Sequence, residues 1–261
     1  DRNILSILSE EIQADLDVTD AQMGFLYGTV FAVFYAVFGI PLARFADVWV
    51  RRSLISVGLL FWSLMTALSG FAKSFGMLAT FRIGVGIGEA SASPAAYSML
   101  SDYYHPKLRA TVLAIYSSGV YIGGGIGLFL GGFIMETWSN WYPEPTAAPL
   151  GIKGWQAAFL AVGVPGMLMA VWVRTLKEPK RGVSEGLVTE EHPAPFSVLK
   201  SELSAILPIV NLFVLRQLGA SISRNLAGAT LICLAAAVLI WMTGSVTQWI
   251  ALGIGVYVTF S

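Results

Sequence analysis

Residues 82–97 read R-I-G-V-G-I-G-E-A-S-A-S-P-A-A-Y and place an arginine and a glutamate inside an apolar run long enough to cross a bilayer. A charge at the centre of a membrane helix costs about 2.5 to 3.5 kcal/mol on insertion scales. Arg82 and Glu89 are therefore candidates for function by default. The alternative is a structural ion pair that only holds helices together.

The composition indicates an integral membrane protein. Of the 261 residues, 56% are hydrophobic and only 12% are charged. The formal net charge is zero, and the sequence shows neither a basic stripe nor zinc-ligand spacing, so nucleic-acid binding has no support. The single cysteine, Cys233, excludes an internal disulfide and is expected to be a small packing residue.

Six apolar runs predict six membrane spans. The first covers residues 1–8, which make about 12 Å of helix against a hydrocarbon core of about 30 Å, so residues upstream are expected to be missing. An acidic stretch at residues 10–20 predicts a solvent loop, and Thr19 with Gln22 matches a capping box before the second span. The other runs are 23–45, 54–71, 75–100, 110–135 and 155–173. Residues 1–181 are thus predicted to form one six-helix bundle.

The basic residues between the spans predict the topology. The loops at 44–52, 101–109 and 174–181 hold nine lysines and arginines, whereas the loops on the opposite side hold only Lys73 and Lys153. By the positive-inside rule the basic side is cytoplasmic. We therefore expect a multi-pass protein of a plasma or inner membrane, with the loops at 44–52, 101–109 and 174–224 in the cytoplasm.

Residues 182–261 follow the predicted bundle. Residues 182–195 are polar without a hydrophobic period, which predicts a flexible linker. Residues 196–224 interleave charged and apolar side chains, which is typical of an amphipathic helix on the inner membrane surface, so 182–224 is predicted to be a cytoplasmic segment. Residues 225–261 predict an apolar helical hairpin, either inserted between two halves or opening a C-terminal bundle.

The charged residues within the spans occur in the first and fourth runs. Asp1 and Arg2 open the first run, and Arg82 and Glu89 lie in the fourth. If each group of three spans is a repeat, these two runs correspond, as in the inverted repeats of secondary transporters. Arg82 and Glu89 are seven residues apart, so they share a helix face about 10.5 Å apart along the axis, and Ser93 continues that face.

Acids at membrane depth can couple proton movement to a conformational change. Burial raises the pKa of a carboxyl group, and a neighbouring arginine lowers it. Either Asp1 or Glu89 is therefore predicted to be the proton-coupling residue, and the spacing does not choose between them. Arg2, Arg82 and Ser93 are predicted to bind the substrate.

The glycines of these spans predict close helix packing. Three glycines at 84, 86 and 88 superficially resemble a nucleotide-binding loop, but no strand precedes them and no phosphate-binding lysine follows. Small residues let membrane helices approach closely, and that use is favoured. Four glycines at four-residue spacing in the fifth span predict one smooth helix face; they are Gly119, Gly123, Gly127 and Gly131.

Residues 43–52, A-R-F-A-D-V-W-V-R-R, resemble the signature loop of the major facilitator superfamily, G-x-L-A-D-R-x-G-R-R. Ala46, Asp47, Arg51 and Arg52 match this pattern, while positions 43, 48 and 50 depart from it. The resemblance covers residues 1 to about 182. It implies an all-α integral membrane protein whose N-terminal six-helix bundle is built from two three-helix inverted repeats, and it places Asp47, Arg51 and Arg52 at a cytoplasmic gate.

Within that superfamily, D-R-N at residues 1–3, Arg82 and G-I-G-E-A at residues 86–90 resemble the Spinster family of lipid transporters. This resemblance implies proton-linked movement of a lysolipid or sphingolipid such as sphingosine 1-phosphate, with Asp1, Arg2, Arg82 and Glu89 in the central cavity. A pair of arginines would suit a phosphate head group. The expected partners are the lipid substrate, protons, membrane lipids and a C-terminal half that this sequence does not contain.

Two other classes of function remain to be weighed. A multidrug or small organic-solute exporter shares every feature above except the Spinster-like residues. A membrane-embedded enzyme would need a nucleophile with a base or a metal set, but His105 and His192 lie in polar segments without ligand spacing. We therefore expect a protein that is not an enzyme, with no cofactor and no metal.

Overall fold

The computed structural model describes residues 3–187, 192–206 and 222–260, which are helical with short connections. No β-strand occurs in these ranges. The helices are α1 (Ile4–Ile7), α2 (Ser9–Leu16), α3 (Asp20–Val48), α4 (Arg51–Ser69), α5 (Phe75–Glu89), α6 (Ala92–Tyr103), α7 (Pro106–Trp141), α8 (Gly154–Thr175), α9 (Pro195–Ile206), α10 (Ile222–Thr243) and α11 (Val246–Phe260). The predicted all-α class is confirmed.

Five of the described helices are long and apolar enough to cross a membrane. They are α3, α4, α7, α8 and most of α10. The fourth span was predicted as one run, but it is divided into α5 and α6 by a break at Ala90 and Ser91. Pro94 has no N–H to donate to the Ala90 carbonyl four residues before it, so the regular helical hydrogen bonds are interrupted there. The Ser91 hydroxyl donates to the Gly88 carbonyl at 2.8 Å.

The first segment extends further than the sequence predicts. Residues 10–20 were expected to form a solvent loop, but α2 occupies Ser9–Leu16, and that prediction was wrong. The reason is an apolar helical period that continues past Leu8, since Leu5, Leu8 and Ile12 are all fully buried in the core. The predicted capping box is confirmed, because the Gln22 amide N–H donates to Thr19 Oγ1 at 3.3 Å and the Thr19 N–H donates to Gln22 Oε1 at 2.9 Å.

Small residues bring the helices of the bundle close together. A methyl group at Gly84 would lie 2.6 Å from the Met65 side chain, and one at Gly88 would lie 2.9 Å from Trp62. These glycines therefore serve the packing of α5 on α4, as predicted. Along the smooth face of α7, by contrast, a methyl group at Gly119, Gly123 or Gly127 would have no neighbour within 4 Å, while Gly131 packs on Ile4.

The seam between α4 and α8 is the most extensive helix contact in the described bundle. The Ser56 hydroxyl donates to the Ala170 carbonyl at 2.8 Å, and Arg174 donates to the Ser53 hydroxyl. At Gly163 a methyl group would lie 2.6 Å from the Ala67 nitrogen and 2.7 Å from the Ser63 oxygen. Because both neighbours are backbone atoms, the helices cannot make room without moving apart.

The Gly163→Ala variant is accordingly expected to lose about 1 to 3 kcal/mol of stability through overpacking. The matched control is Gly125→Ala on α7, where a methyl group has no neighbour within 4 Å. Thermal unfolding in detergent should show a lower midpoint for Gly163→Ala only. Equal midpoints for the two variants would contradict the close α4–α8 seam.

The connections meet at two opposite ends of the bundle. At one end, Trp155 is fully buried and its Nε1–H donates to the Asp15 carboxylate at 2.8 Å, while Lys153 pairs with the same carboxylate. At the other end, the connections at 44–52, 101–109 and 174–185 lie in mutual contact through Arg51 and Arg109. The three basic connections therefore share one end, and their cytoplasmic location stays a prediction.

Helices α9 and α11 pack on α3. Phe196 of α9 lies with its ring centroid 5.5 Å from that of Phe45 and 5.4 Å from that of Trp49, and Glu202 pairs with Arg44 at 3.6 Å. A methyl group at Gly255 of α11 would meet Val33 of α3 at 3.0 Å. Helices α10 and α11 form the predicted hairpin, and whether it is inserted between two halves or opens a second bundle stays open.

Candidate functional site

A cavity of about 250 Å³ lies inside the bundle between the first segment, α4, α5 and α7. Its polar wall is formed by the side chains of Asn3 and Glu89, and Trp62 supplies an aromatic surface. The glycine face of α7 between Gly119 and Gly127 forms the opposite wall. Because these glycines have no side chains, this wall leaves space in the cavity that a larger residue would fill.

Among the described residues that line this cavity, Glu89 is the acidic one. Glu89 is the last residue of α5, directly before the break at Ala90 and Ser91, and it is half-buried. This position agrees with the prediction that Glu89 belongs to a central cavity.

The other predicted residues of the central site are placed differently. Arg82 lies two turns before Glu89 on α5 and is fully buried within the bundle, outside the set of described residues that line the cavity. Ser93 lies on α6, where its hydroxyl is 3.4 Å from the Tyr35 hydroxyl of α3. Asp1 and Arg2 lie outside the described residues. Glu89 and Asn3 are thus the polar side chains that the described structure brings together.

The predicted gate residue Arg51 is the centre of a charged cluster at the basic end of the bundle. Its side chain is fully buried. The Nε–H donates to Glu178 at 3.0 Å, Nη1 donates to Asp102 at 2.5 Å and to Ser98 at 2.9 Å, and Nη2 donates to the Pro179 carbonyl at 2.9 Å. Each nitrogen of the guanidinium therefore has a hydrogen-bond partner, which offsets the desolvation of a buried charge.

Glu178 also caps the start of α4. One of its carboxylate oxygens accepts from the Arg51 N–H at 3.3 Å and the other accepts from the Arg52 N–H at 2.8 Å. An anion at a helix N-terminus is favourable because the first amide groups have no partner within the helix. The Arg52 side chain donates to the Leu176 carbonyl at 2.7 Å, so both predicted gate arginines bind the segment that follows α8.

Asp47, the third predicted gate residue, lies exposed in the last turn of α3. Its charge acts on Arg181, whose guanidinium donates to the Ala46 and Trp49 carbonyls at 2.6 and 2.5 Å. Burial lowers the pKa of Arg181 and the positive charge of Arg51 lowers it further, whereas Glu178 and Asp47 act in the opposite direction. The two hydrogen bonds from Arg181 satisfy carbonyl groups at the end of α3.

Residues 176–185, which we name the strap, tie the helix ends of this side together. The Gly182 N–H donates to Asp102 at 3.0 Å, Ser184 donates to the Ser101 carbonyl at 3.0 Å, and Glu185 pairs with Arg109 at 2.6 Å. The sequence predicts a flexible linker from residue 182, whereas the structure holds residues 182–185 against α6 and α7. The charged residues after the sixth span were the only signal of these contacts.

Metal binding finds no support in the part of the chain that the structure describes. No three histidine, cysteine, aspartate or glutamate side chains there are grouped so that they could hold a metal ion.

The sequence matches the family model of the Major Facilitator Superfamily over residues 1–261. The chain belongs to the Major Facilitator Superfamily. Membership in this superfamily, together with the apolar helices of membrane-spanning length, makes it a multi-pass integral membrane protein.

Relatives in the superfamily have several substrates. The chain is 31% identical to an MFS-type efflux pump of Mycolicibacterium smegmatis over 65% of its length and 36% of that protein. It is 28% identical to a probable L-galactonate transporter of Escherichia coli, over 66% of this chain and 34% of that protein. It is 29% identical to Protein spinster of Drosophila melanogaster, over 79% of this chain and 31% of that protein. The chain therefore spans about a third of the length of these relatives.

A solved structure of the same superfamily resembles the chain over nearly all of its length. It is a bacterial homolog of the human lysosomal transporter Spinster in an inward-facing, occupied conformation. The two are 29% identical with a TM-score of 0.62, and the match covers 98% of this chain and 68% of that one. The resemblance to the superfamily, inferred from the loop at residues 43–52, is confirmed. The resemblance to its Spinster members, inferred from charged residues and glycines of the first and fourth spans, is also confirmed.

Proposed function

We propose that the protein is an alternating-access secondary transporter of an amphiphilic lipid, a lysolipid or sphingolipid such as sphingosine 1-phosphate, and that its transport is coupled to protons. The observation that carries the proposal is the Glu89 side chain on the wall of a cavity that is also lined by α4 and α7, two helices of membrane-spanning length. An ionisable residue inside a span marks a substrate or proton pathway more often than a structural feature. The similarity to a sphingosine-1-phosphate transporter of Danio rerio, which is 28% identical over 71% of this chain and 34% of that protein, supports a lipid substrate.

The cavity suits the head of an amphiphile. Asn3 and Glu89 offer polar contacts, while Ile4 and Trp62 offer apolar surface. Its volume of about 250 Å³ is below the range of about 300 to 1,000 Å³ that holds a drug-sized ligand. The cavity would therefore take a head group while the acyl chain extends beyond it. A C-terminal half would close the open face of α7.

In this proposal the remaining predicted residues keep the roles that the sequence assigns to them. Asp1 or Glu89 carries the coupling proton, and Arg2, Arg82 and Ser93 contribute to substrate binding. Arg82 is fully buried, so it does not contact a substrate unless the cavity opens further. Without such an opening it acts by its charge or by holding α5 in place. Asp47, Arg51 and Arg52 belong to the gate at the basic end, which we place in the cytoplasm of a plasma or inner membrane.

A multidrug or small organic-solute exporter is the second candidate. The observation that favours it is the 31% identity to an MFS-type efflux pump, and the similarity to a probable L-galactonate transporter extends it to sugar acids. A half-bundle with one acid at its cavity is compatible with each of these substrates. The substrate must therefore be decided by transport.

A substrate panel in proteoliposomes tests the proposal. The natural full-length protein is reconstituted, and uptake of radiolabelled sphingosine 1-phosphate, a lysophospholipid, ethidium and L-galactonate is compared with uptake by protein-free liposomes. We expect uptake of at least one of the two lipids and background uptake of the other compounds. Transport of ethidium or L-galactonate without lipid transport would establish the alternative instead.

A further inference from the structure

Five hydroxyl groups from three helices meet beside the cavity, and we name them the hydroxyl cluster. Tyr35 lies on α3, Ser93 and Tyr97 on α6, and Tyr116 and Ser117 on α7. The Tyr35 and Ser93 hydroxyls are 3.4 Å apart, as are those of Tyr97 and Ser117. The rings of Tyr97 and Tyr116 meet edge-on with centroids 5.3 Å apart, and the Tyr116 hydroxyl interacts with Ser93.

The hydroxyl cluster continues the wall of the cavity. Tyr116 precedes Gly119 by three residues and Gly123 by seven, and both of these glycines line the cavity. At 3.6 residues per turn, these spacings put all three residues on one face of α7. On the facing side, Ser93 follows Glu89 by four residues across the helix break. The cluster is therefore the next turn of the same internal surface.

The depth of the cluster makes it costly to keep without a use. Tyr116 lies ten residues from the start of α7 at Pro106, and Ser93 lies ten residues from the end of α6 at Tyr103. Ten residues of helix span about 15 Å, so both side chains lie well away from the helix ends at the basic side of the bundle. A hydroxyl group at this depth is unfavourable unless a partner satisfies it.

The contacts within the cluster leave hydrogen-bonding capacity for a ligand. A separation of 3.4 Å exceeds the range of about 2.5 to 3.0 Å for a well-formed O–H···O bond. The hydroxyls of Ser93, Tyr97 and Ser117 can therefore turn from these long contacts toward a closer partner, and each offers one donor and acceptor lone pairs. The five members are neutral, so the set suits an uncharged hydroxyl group better than a phosphate.

We infer that the hydroxyl cluster is a binding subsite for the hydroxyl groups of the substrate head, one helical turn from Glu89. The substrate class is then an amphiphile with a hydroxyl-bearing head, such as a long-chain amino alcohol. The inference rests on the proposed lipid transport, because it assigns part of the same substrate to these residues. Tyr97, which is 41% exposed, supplies the side chain that a ligand can reach most readily from the open side of the cavity.

Binding of two lipids that differ by one hydroxyl group tests the subsite. Sphinganine and 1-deoxysphinganine have the same chain and amine, and only the first carries the terminal hydroxyl. Equilibrium binding is measured on the natural full-length protein in nanodiscs, for wild type and for the Tyr97→Phe and Tyr116→Phe variants. Tyr121→Phe is the matched control, since Tyr121 also lies on α7 but is 83% exposed and belongs neither to the cluster nor to the lining of the cavity.

For wild type and for Tyr121→Phe, we expect sphinganine to bind about threefold to tenfold more tightly than its deoxy analogue, the effect of one hydrogen bond. In at least one of the other two variants the ratio should fall to about one, while the affinity for 1-deoxysphinganine stays unchanged. Three results would each overturn the subsite. Wild type could bind the two lipids equally well, both variants could keep the wild-type ratio, or both variants could bind 1-deoxysphinganine more weakly than wild type does. Failure of wild type to bind either lipid would also overturn the subsite, whereas the proposed lipid transport is tested separately by uptake of sphingosine 1-phosphate and a lysophospholipid.

Discussion

Arg51→Ala is expected to destabilise the bundle by about 3 to 5 kcal/mol, the effect of removing one partner from a buried ion pair. The change would leave the carboxylates of Asp102 and Glu178 close together without the guanidinium that now joins them at 2.5 and 3.0 Å. Both carboxylates are mostly buried, with exposed fractions of 12% and 23%, so water compensates little. The strap would also lose the hydrogen bond that Arg51 makes with the Pro179 carbonyl.

Thermal unfolding in detergent measures this loss. For a chain of this size the midpoint should fall by about 10 °C. Arg44→Ala is the matched control, because Arg44 is 66% exposed and its ion pair with Glu202 at 3.6 Å lies at the surface. A pair of that kind contributes about 0 to 1 kcal/mol. Similar midpoints for the two variants would show that the Arg51 cluster does not hold the helix ends together.

The positions of the long apolar helices were predictable from the sequence because hydropathy alone defines a membrane span. The runs at 54–71 and 155–173 correspond to α4 at Arg51–Ser69 and α8 at Gly154–Thr175, within a few residues at each end. In the fourth run the hydropathy continues through the break at Ala90 and Ser91, so hydropathy does not reveal it. The signal in the sequence is Pro94, which has no N–H to donate to the Ala90 carbonyl.

Contacts between distant residues were not predictable. The strap binds helix ends that lie about 75 to 130 residues away along the chain, as in the pairs of Glu178 with Arg51 and Glu185 with Arg109. A single sequence shows charged residues after the sixth span but not their partners. The same limit applies to the hydroxyl cluster, since serine and tyrosine are ordinary residues until three helices bring them together.

The candidate site was predictable in part. Glu89 was identified by the cost of a charge in the membrane, and the structure places it at a cavity. The same reasoning identified Arg82, which is fully buried instead. Seven-residue spacing puts two residues on one face of a helix, but it does not say which of them faces open space. That outcome depends on the neighbouring helices, since Trp62 and the glycine face of α7 define the cavity around Glu89.

Of the two acids proposed to carry the coupling proton, Glu89 is the one that the described structure places at the cavity, so Glu89→Gln is expected to abolish lipid uptake driven by a pH gradient. Glutamine has the shape of glutamate and, like the protonated acid, both donates and accepts hydrogen bonds, but it cannot release a proton. Exchange of internal for external lipid needs no net proton movement and should continue. Glu136→Gln is the matched control, since Glu136 is an exposed glutamate near the far end of α7. The control protein should behave like wild type in both assays.

The most direct test of proton-coupled lipid transport is therefore the uptake of labelled lipid into proteoliposomes with and without an imposed pH gradient. The natural full-length protein should show gradient-stimulated uptake, and Glu89→Gln should show none while retaining exchange. Gradient-stimulated uptake by Glu89→Gln equal to that of wild type would contradict the role of Glu89.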